Sequence, residues 1–93
     1  MELRHLRYFV AVVEEQSFTK AAEKLFIAQP PLSRQIQNLE QELDIQLFER
    51  GSRPLKTTEA GQFFYQHAVK LLSNAEEIKS MTKRIGIADR TIS

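Results

Sequence analysis

Ala28-Gln29-Pro30-Pro31-Leu32-Ser33-Arg34-Gln35-Ile36-Gln37-Asn38-Leu39 is the stretch from which the fold can be read. On a helical wheel of about 100° per residue, Leu32, Ile36, Leu39 and Leu43 fall in one stripe, which predicts a helix packed by one face only. Pro31 suits its first turn, where a fixed φ is helical and the missing N–H would have had no partner. Pro30, Ser33, Arg34, Gln37 and Gln41 share the opposite side, which carries small, amide and guanidinium groups and no carboxylate. These are the groups that read base edges. Arg donates two hydrogen bonds to guanine, Gln pairs with adenine, and Ser or an apolar ring meets a polar edge or a thymine methyl. Most polar helix faces are merely solvated, so the assignment depends on what flanks this one.

Toward the N-terminus, Leu3, Leu6, Phe9, Val10 and Val13 recur at helical spacing and predict an amphipathic helix ending near Gln16. Ser17 is placed to cap a second, short helix over 18–25, with Ala21, Ala22 and Leu25 inward and Thr19 and Lys20 exposed. Only a tight turn fits between Leu25 and Pro31. The second and third helices therefore make a helix-turn-helix, with the third as recognition element.

Toward the C-terminus, Asp44-Ile45-Gln46-Leu47-Phe48-Glu49-Arg50 alternates apolar and polar residues, Gly51-Ser52-Arg53-Pro54 supplies a turn, and Leu55-Lys56-Thr57 resumes the alternation. A β-hairpin in this place is a wing. Its tip, Arg53 beside Pro54, suits a narrow A·T-rich minor groove, where negative potential is concentrated. A surface turn with incidental arginines is the plainer reading, but Arg50 to Lys56 contains no acid to neutralise them.

From Thr58 the pattern is one long helix. Phe64, Ala68, Leu71, Ala75, Ile78, Thr82 and Ile85 alternate at intervals of four and three, a heptad seam. Helix from Thr58 to Ile85 would be a rod of roughly 42 Å, more than a small core can cover. The same helix of a second copy is the simplest cover, because a symmetric dimer also supplies two recognition helices for a palindromic site. Phe63, Tyr65 and Leu72, off the seam, are expected to dock the helix on its own domain. Residues past Gly86 show no periodicity and are expected to fray or begin a linker. The division expected is a winged domain over 1–57 and a dimerisation helix with its tail over 58–93.

Composition bounds the function. Ninety-three residues, 42% of them hydrophobic, make one small domain or a domain with an extension, without room for a large enzyme cleft. Cysteine is absent, and His5 and His67 lack partners at ligand spacing, so neither a metal nor a cofactor is expected. The apolar run Tyr8 to Val13 is too short and too closely bounded by acids for a signal or membrane segment, and a soluble cytoplasmic protein with no membrane partner is expected. There is no global basic field: residues 1–57 carry eight Lys or Arg against eight Asp or Glu. The pI near 8.1 lies below the range that marks nucleic-acid binders by composition, so binding must come from local charge.

Leu6 to Phe9, Ser17 to Leu25, Gln29-Pro30-Pro31-Leu32-Ser33-Arg34-Gln35-Ile36, Leu39-Glu40, Leu47-Phe48-Glu49-Arg50 and Thr57-Thr58-Glu59-Ala60-Gly61 resemble the N-terminal module of LysR-type transcriptional regulators over nearly the whole chain. The Met1 to Phe9 opening and the Gln29 to Gln35 run look most like members that control aromatic-compound degradation. The resemblance implies a mainly α fold, a winged helix-turn-helix followed by a long helix that dimerises antiparallel. It further implies a C-terminal effector-binding domain of two α/β lobes, absent from these residues, through which a small-molecule effector would act. Tetramers on a partly palindromic operator, transcriptional activation or repression, and RNA polymerase as a partner follow by the same analogy. Two positions depart from the pattern. Asp44 stands where the family usually has Gly closing the recognition helix, a place expected to need φ > 0. Ala28 stands where many members have Ser or Thr, so that hydroxyl's contact is not carried over.

The reading is a dimeric, sequence-specific binder of double-stranded DNA. Gln29, Pro30, Ser33 and Arg34, with Pro31 and Gln37 beside them, are expected to read bases, Arg53 and Pro54 to enter the minor groove, and Thr19, Lys20 and Arg50 to contact phosphates. The alternative is a protein-interaction module whose seam binds another helix and whose polar face has no DNA specificity. An enzyme is a poor reading: Ser33, His5 and Asp44 form a triad only on paper, without a nucleophile elbow, glycine-rich cradle or metal spacing.

Overall fold

The computed structural model describes residues 1–92. Three helices, α1 (Leu3–Glu15), α2 (Phe18–Leu25) and α3 (Gln29–Leu43), precede a hairpin of β1 (Phe48–Glu49) and β2 (Lys56–Thr57), and α4 (Glu59–Ile92) follows. The strands are antiparallel, with Phe48 opposite Thr57 and Glu49 opposite Lys56.

Local chemistry sets the boundaries. The backbone N–H of Glu2 donates to His5 Nδ1 at 3.2 Å, so His5 caps α1. Ser17 Oγ accepts from Lys20 N at 3.2 Å and starts α2 as expected. Helices α1, α2 and α3 each end on a left-handed residue that is not glycine: Gln16 (φ 53°), Phe26 (φ 59°) and Asp44 (φ 55°). The position expected to need positive φ thus has it. At Asp44 the return bonds run from its N–H to Gln41 O at 3.2 Å and from Ile45 N–H to Glu40 O at 3.1 Å, which satisfies carbonyls the helix leaves open.

The core is built around Phe9, which is fully buried. Its ring lies 5.3 Å from that of Phe48 and 5.1 Å, edge-on, from that of Phe64, so one side chain joins α1 to wing and long helix. Val12, Ala21, Ala22, Leu32, Ile36, Leu39 and Leu47 complete it. Ala21 and Ala22 have little side chain to hold the other helices away, so α2 packs closely against them.

Several expectations are corrected. The inner stripe of α1 is Leu6, Phe9, Ala11 and Val12, whereas Leu3 is exposed and Val10 and Val13 are only half-buried. Leu43 is exposed and lies outside the core. The strands have two residues each, because Asp44 to Gln46 are taken by the helix stop and turn, and Leu47 and Phe48 are both buried instead of alternating. Helix α4 runs past Gly86 to Ile92, with a length of roughly 51 Å at 1.5 Å per residue. Phe63 is 65% exposed, while Phe64 docks on the core beside Phe9, the reverse of the expected roles.

Candidate nucleic-acid interface

Helix α3 presents the candidate reading face. Its inner side chains Leu32, Ile36 and Leu39 are buried, which fixes its rotation and turns Pro30, Pro31, Arg34 and Gln37 to solvent. Gln29 and Ser33 are half-buried, and Gln29 Nε2 donates to Ser33 Oγ at 3.5 Å, one helical turn on. Ala28 occupies the N-cap and makes no side-chain cap bond. No carboxylate among the described residues pairs with Arg34, so its guanidinium stands ready for an external acceptor.

The hairpin is braced from both ends. Ser52 Oγ donates to Glu49 O at 3.1 Å and accepts from Lys56 N–H at 3.2 Å, and Leu55 N–H donates to Gln16 O at 3.1 Å. The Arg53–Pro54 peptide is cis, and both residues are exposed. An open groove of about 750 Å³ runs between this tip and the start of α2, bringing Arg53 and Pro54 opposite Thr19 and Lys20. Glu15 also lines the groove, and its carboxylate faces Lys24 Nζ at 3.4 Å. The predicted minor-groove and phosphate residues therefore share one concave surface, except Arg50. The Arg50 guanidinium pairs with Glu40, a partner that the acid-free stretch from Arg50 to Lys56 gave no hint of.

The proposed seam divides. Ala68 is only 3% exposed in the single chain and Phe64 packs on the core, so these two serve the chain's own domain before any second copy. Leu71, Ile78, Thr82 and Ile85 are exposed and Ala75 is half-buried, and beside them Met81 and Ile87 are exposed as well. Tyr65, as expected, ties the helix down: its hydroxyl donates to Glu14 Oε2 at 3.0 Å. That bond, with burial and the Glu14 charge behind it, raises the Tyr65 phenol above its ordinary pKa of 10.0. His67 lies against Phe63, with ring centroids 4.4 Å apart and the planes tilted by 45°. Among the described residues no three His, Cys, Asp or Glu side chains gather where a metal would sit, and no described helix is long and apolar enough to cross a membrane.

A helix-turn-helix with a two-stranded wing and a long trailing helix matches known proteins. The family model described as "Bacterial regulatory helix-turn-helix protein, lysR family" matches residues 3–62. The chain is 77% identical over 92 residues to the HTH-type transcriptional regulator BenM of Acinetobacter baylyi, and 53% identical over 90 residues to the HTH-type transcriptional regulator CatR of Pseudomonas putida. These alignments take in 99% and 97% of this chain but 30% of each relative, so the chain spans under a third of their length. A crystal structure of the BenM DBD with catB site 1 DNA superimposes with a TM-score of 0.91 at 80% identity, covering 92% of this chain and 97% of that one. A CbnR DBD–DNA complex gives 0.87 at 37% identity, covering 92% and 99%. This chain belongs to the LysR family of bacterial helix-turn-helix regulators. The family's named members here are transcriptional regulators and not enzymes.

Proposed function

We propose that residues 1–57 are the DNA-binding unit, and residues 58–93 the dimerising helix with its tail, of a cytoplasmic transcriptional regulator that binds a partly palindromic operator as a homodimer. The observation that carries this is the face of α3: Pro30, Arg34 and Gln37 point outward with the half-buried Gln29 and Ser33 beside them, without a carboxylate, on a helix whose rotation the core fixes. This face enters the major groove. Arg53 and Pro54 reach the adjoining minor groove, and Thr19 and Lys20 hold phosphates across the intervening backbone. The exposed apolar side chains Leu71, Ile78 and Ile85 favour a second copy, since a row of this kind is seldom left in water.

In the whole protein, the family resemblance extends the proposal to a tetramer, to a C-terminal domain that senses a small molecule, and to activation of aromatic-compound degradation genes with RNA polymerase as partner. Solved DNA complexes of the BenM and CbnR DBDs support the DNA-binding part of the reading. Selection of bound duplexes from a random pool by the chain tests it. An inverted repeat with half-sites about one helical turn or more apart is expected. Recovery of single half-sites, or of no common sequence, contradicts it.

A further inference from the structure

Glu40 is the single buried charged side chain among the described residues, 8% exposed, and it lies on the inner side of the candidate recognition helix. All its acceptors are engaged. Oε2 accepts the backbone N–H groups of Leu47 at 2.7 Å and Phe48 at 3.3 Å, and Oε1 pairs with the Arg50 guanidinium. Its own carbonyl accepts Ile45 N–H. One residue of α3 thus holds the turn after the helix, the first strand of the wing, and the arginine that follows that strand. Arg50 is half-exposed, with its charge balanced inside the chain. A buried carboxylate held this way contributes little net stability over an apolar residue, but it fixes geometry, because its acceptors are directional and costly to leave unmade.

We propose that Glu40 and Arg50 are positioning residues for DNA reading. Their pair sets the angle between α3 and the wing, so that Arg53 meets the minor groove in register with Arg34 in the major groove. Arg50 commits its charge to Glu40 and is not counted among the phosphate contacts. The proposal rests on the DNA-binding reading above and adds to it a claim about what Arg50 does.

The test uses the whole chain and a duplex selected from random sequence, made with A·T-rich and with G·C-rich flanks. Binding of unaltered chain, Arg50→Gln and Glu40→Gln is followed as a function of salt, with circular dichroism to confirm folding. Failure of the unaltered chain to bind its selected duplex overturns the DNA-binding reading and this proposal together. If it binds, Arg50→Gln should bring the preference for A·T flanks to within about twofold of none, and should change the slope of log affinity against log salt no more than Arg53→Ala alone does. Arg53→Ala added to Arg50→Gln should then remove no further flank preference. A slope reduced by about 0.9 with flank preference intact makes Arg50 a phosphate contact and overturns the proposal alone. Glu40→Gln keeps an acceptor for Leu47 and Phe48 but releases Arg50, and should lose flank preference in the same way. Retention of that preference in a folded Glu40→Gln chain also overturns it.

Discussion

Gly61 approaches Leu47 so closely that a Cβ on the glycine would stand 2.0 Å from the Leu47 carbonyl oxygen. The same carbonyl accepts Thr58 N–H at 3.0 Å, and Thr58 Oγ1 donates to Gln46 O at 2.7 Å while accepting from Gly61 N–H at 3.0 Å. The start of the long helix is therefore cinched onto the segment entering β1, whose N–H groups Glu40 holds. Gly61→Ala should destabilise the chain by about 1–3 kcal/mol or more, outweighing the roughly 1 kcal/mol that Ala gains over Gly in a helix. Denaturant unfolding of the two chains measures this, and a stabilised variant would show that the contact yields readily.

The Tyr65–Glu14 bond gives the junction of α4 and α1 a dependence on alkaline pH. Folding raises the phenol's pKa, so the folded chain holds that proton more tightly than the unfolded one. The stabilisation is complete below the unfolded value of about 10 and is lost as pH rises through the higher folded value. Tyr65→Phe should be less stable than the unaltered chain at neutral pH, and the difference should shrink above pH 10 or so. Thermal unfolding of both across that range checks it. A difference that grows with pH would reverse the sign of the linkage.

Ile78 is 67% exposed in the single chain, so Ile78→Arg removes little from the chain's own packing. In a paired seam it would bury a charge without a partner, at a cost of several kcal/mol. Sedimentation should find the variant monomeric where the unaltered chain is dimeric, with its helix content intact. A variant that stays dimeric would put the interface elsewhere on the molecule.

The helix-turn-helix was legible because its signals are local. Ser17 caps within three residues, and Leu32, Ile36 and Leu39 mark one stripe opposite Ser33, Arg34 and Gln37. Helix α1 was less legible: from Tyr8 to Val13 six apolar residues run together, so periodicity alone does not say whether Val12 or Val13 points inward. Phe63 and Phe64 present the same ambiguity about 100° apart on α4, and the packing of Phe64 against Phe9 decides it. The role of Glu40 carries no local signal, since its partners are backbone N–H groups seven and eight residues on, brought back by the left-handed stop at Asp44. The Glu40 partner of Arg50 is hidden for the same reason, because a charge count along the chain misses an acid supplied by another element.

The central claim is that the outward face of α3 reads sequence, and the affinity of Arg34→Ala for selected and for scrambled duplex tests it most directly. Arg34 makes no core contact and no ion pair with a described carboxylate, so the variant should fold as before. It should lose about 1–3 kcal/mol per half-site on the selected duplex and far less on the scrambled one. Equal losses on both would make Arg34 a phosphate contact and contradict the assignment of α3 as the reading helix.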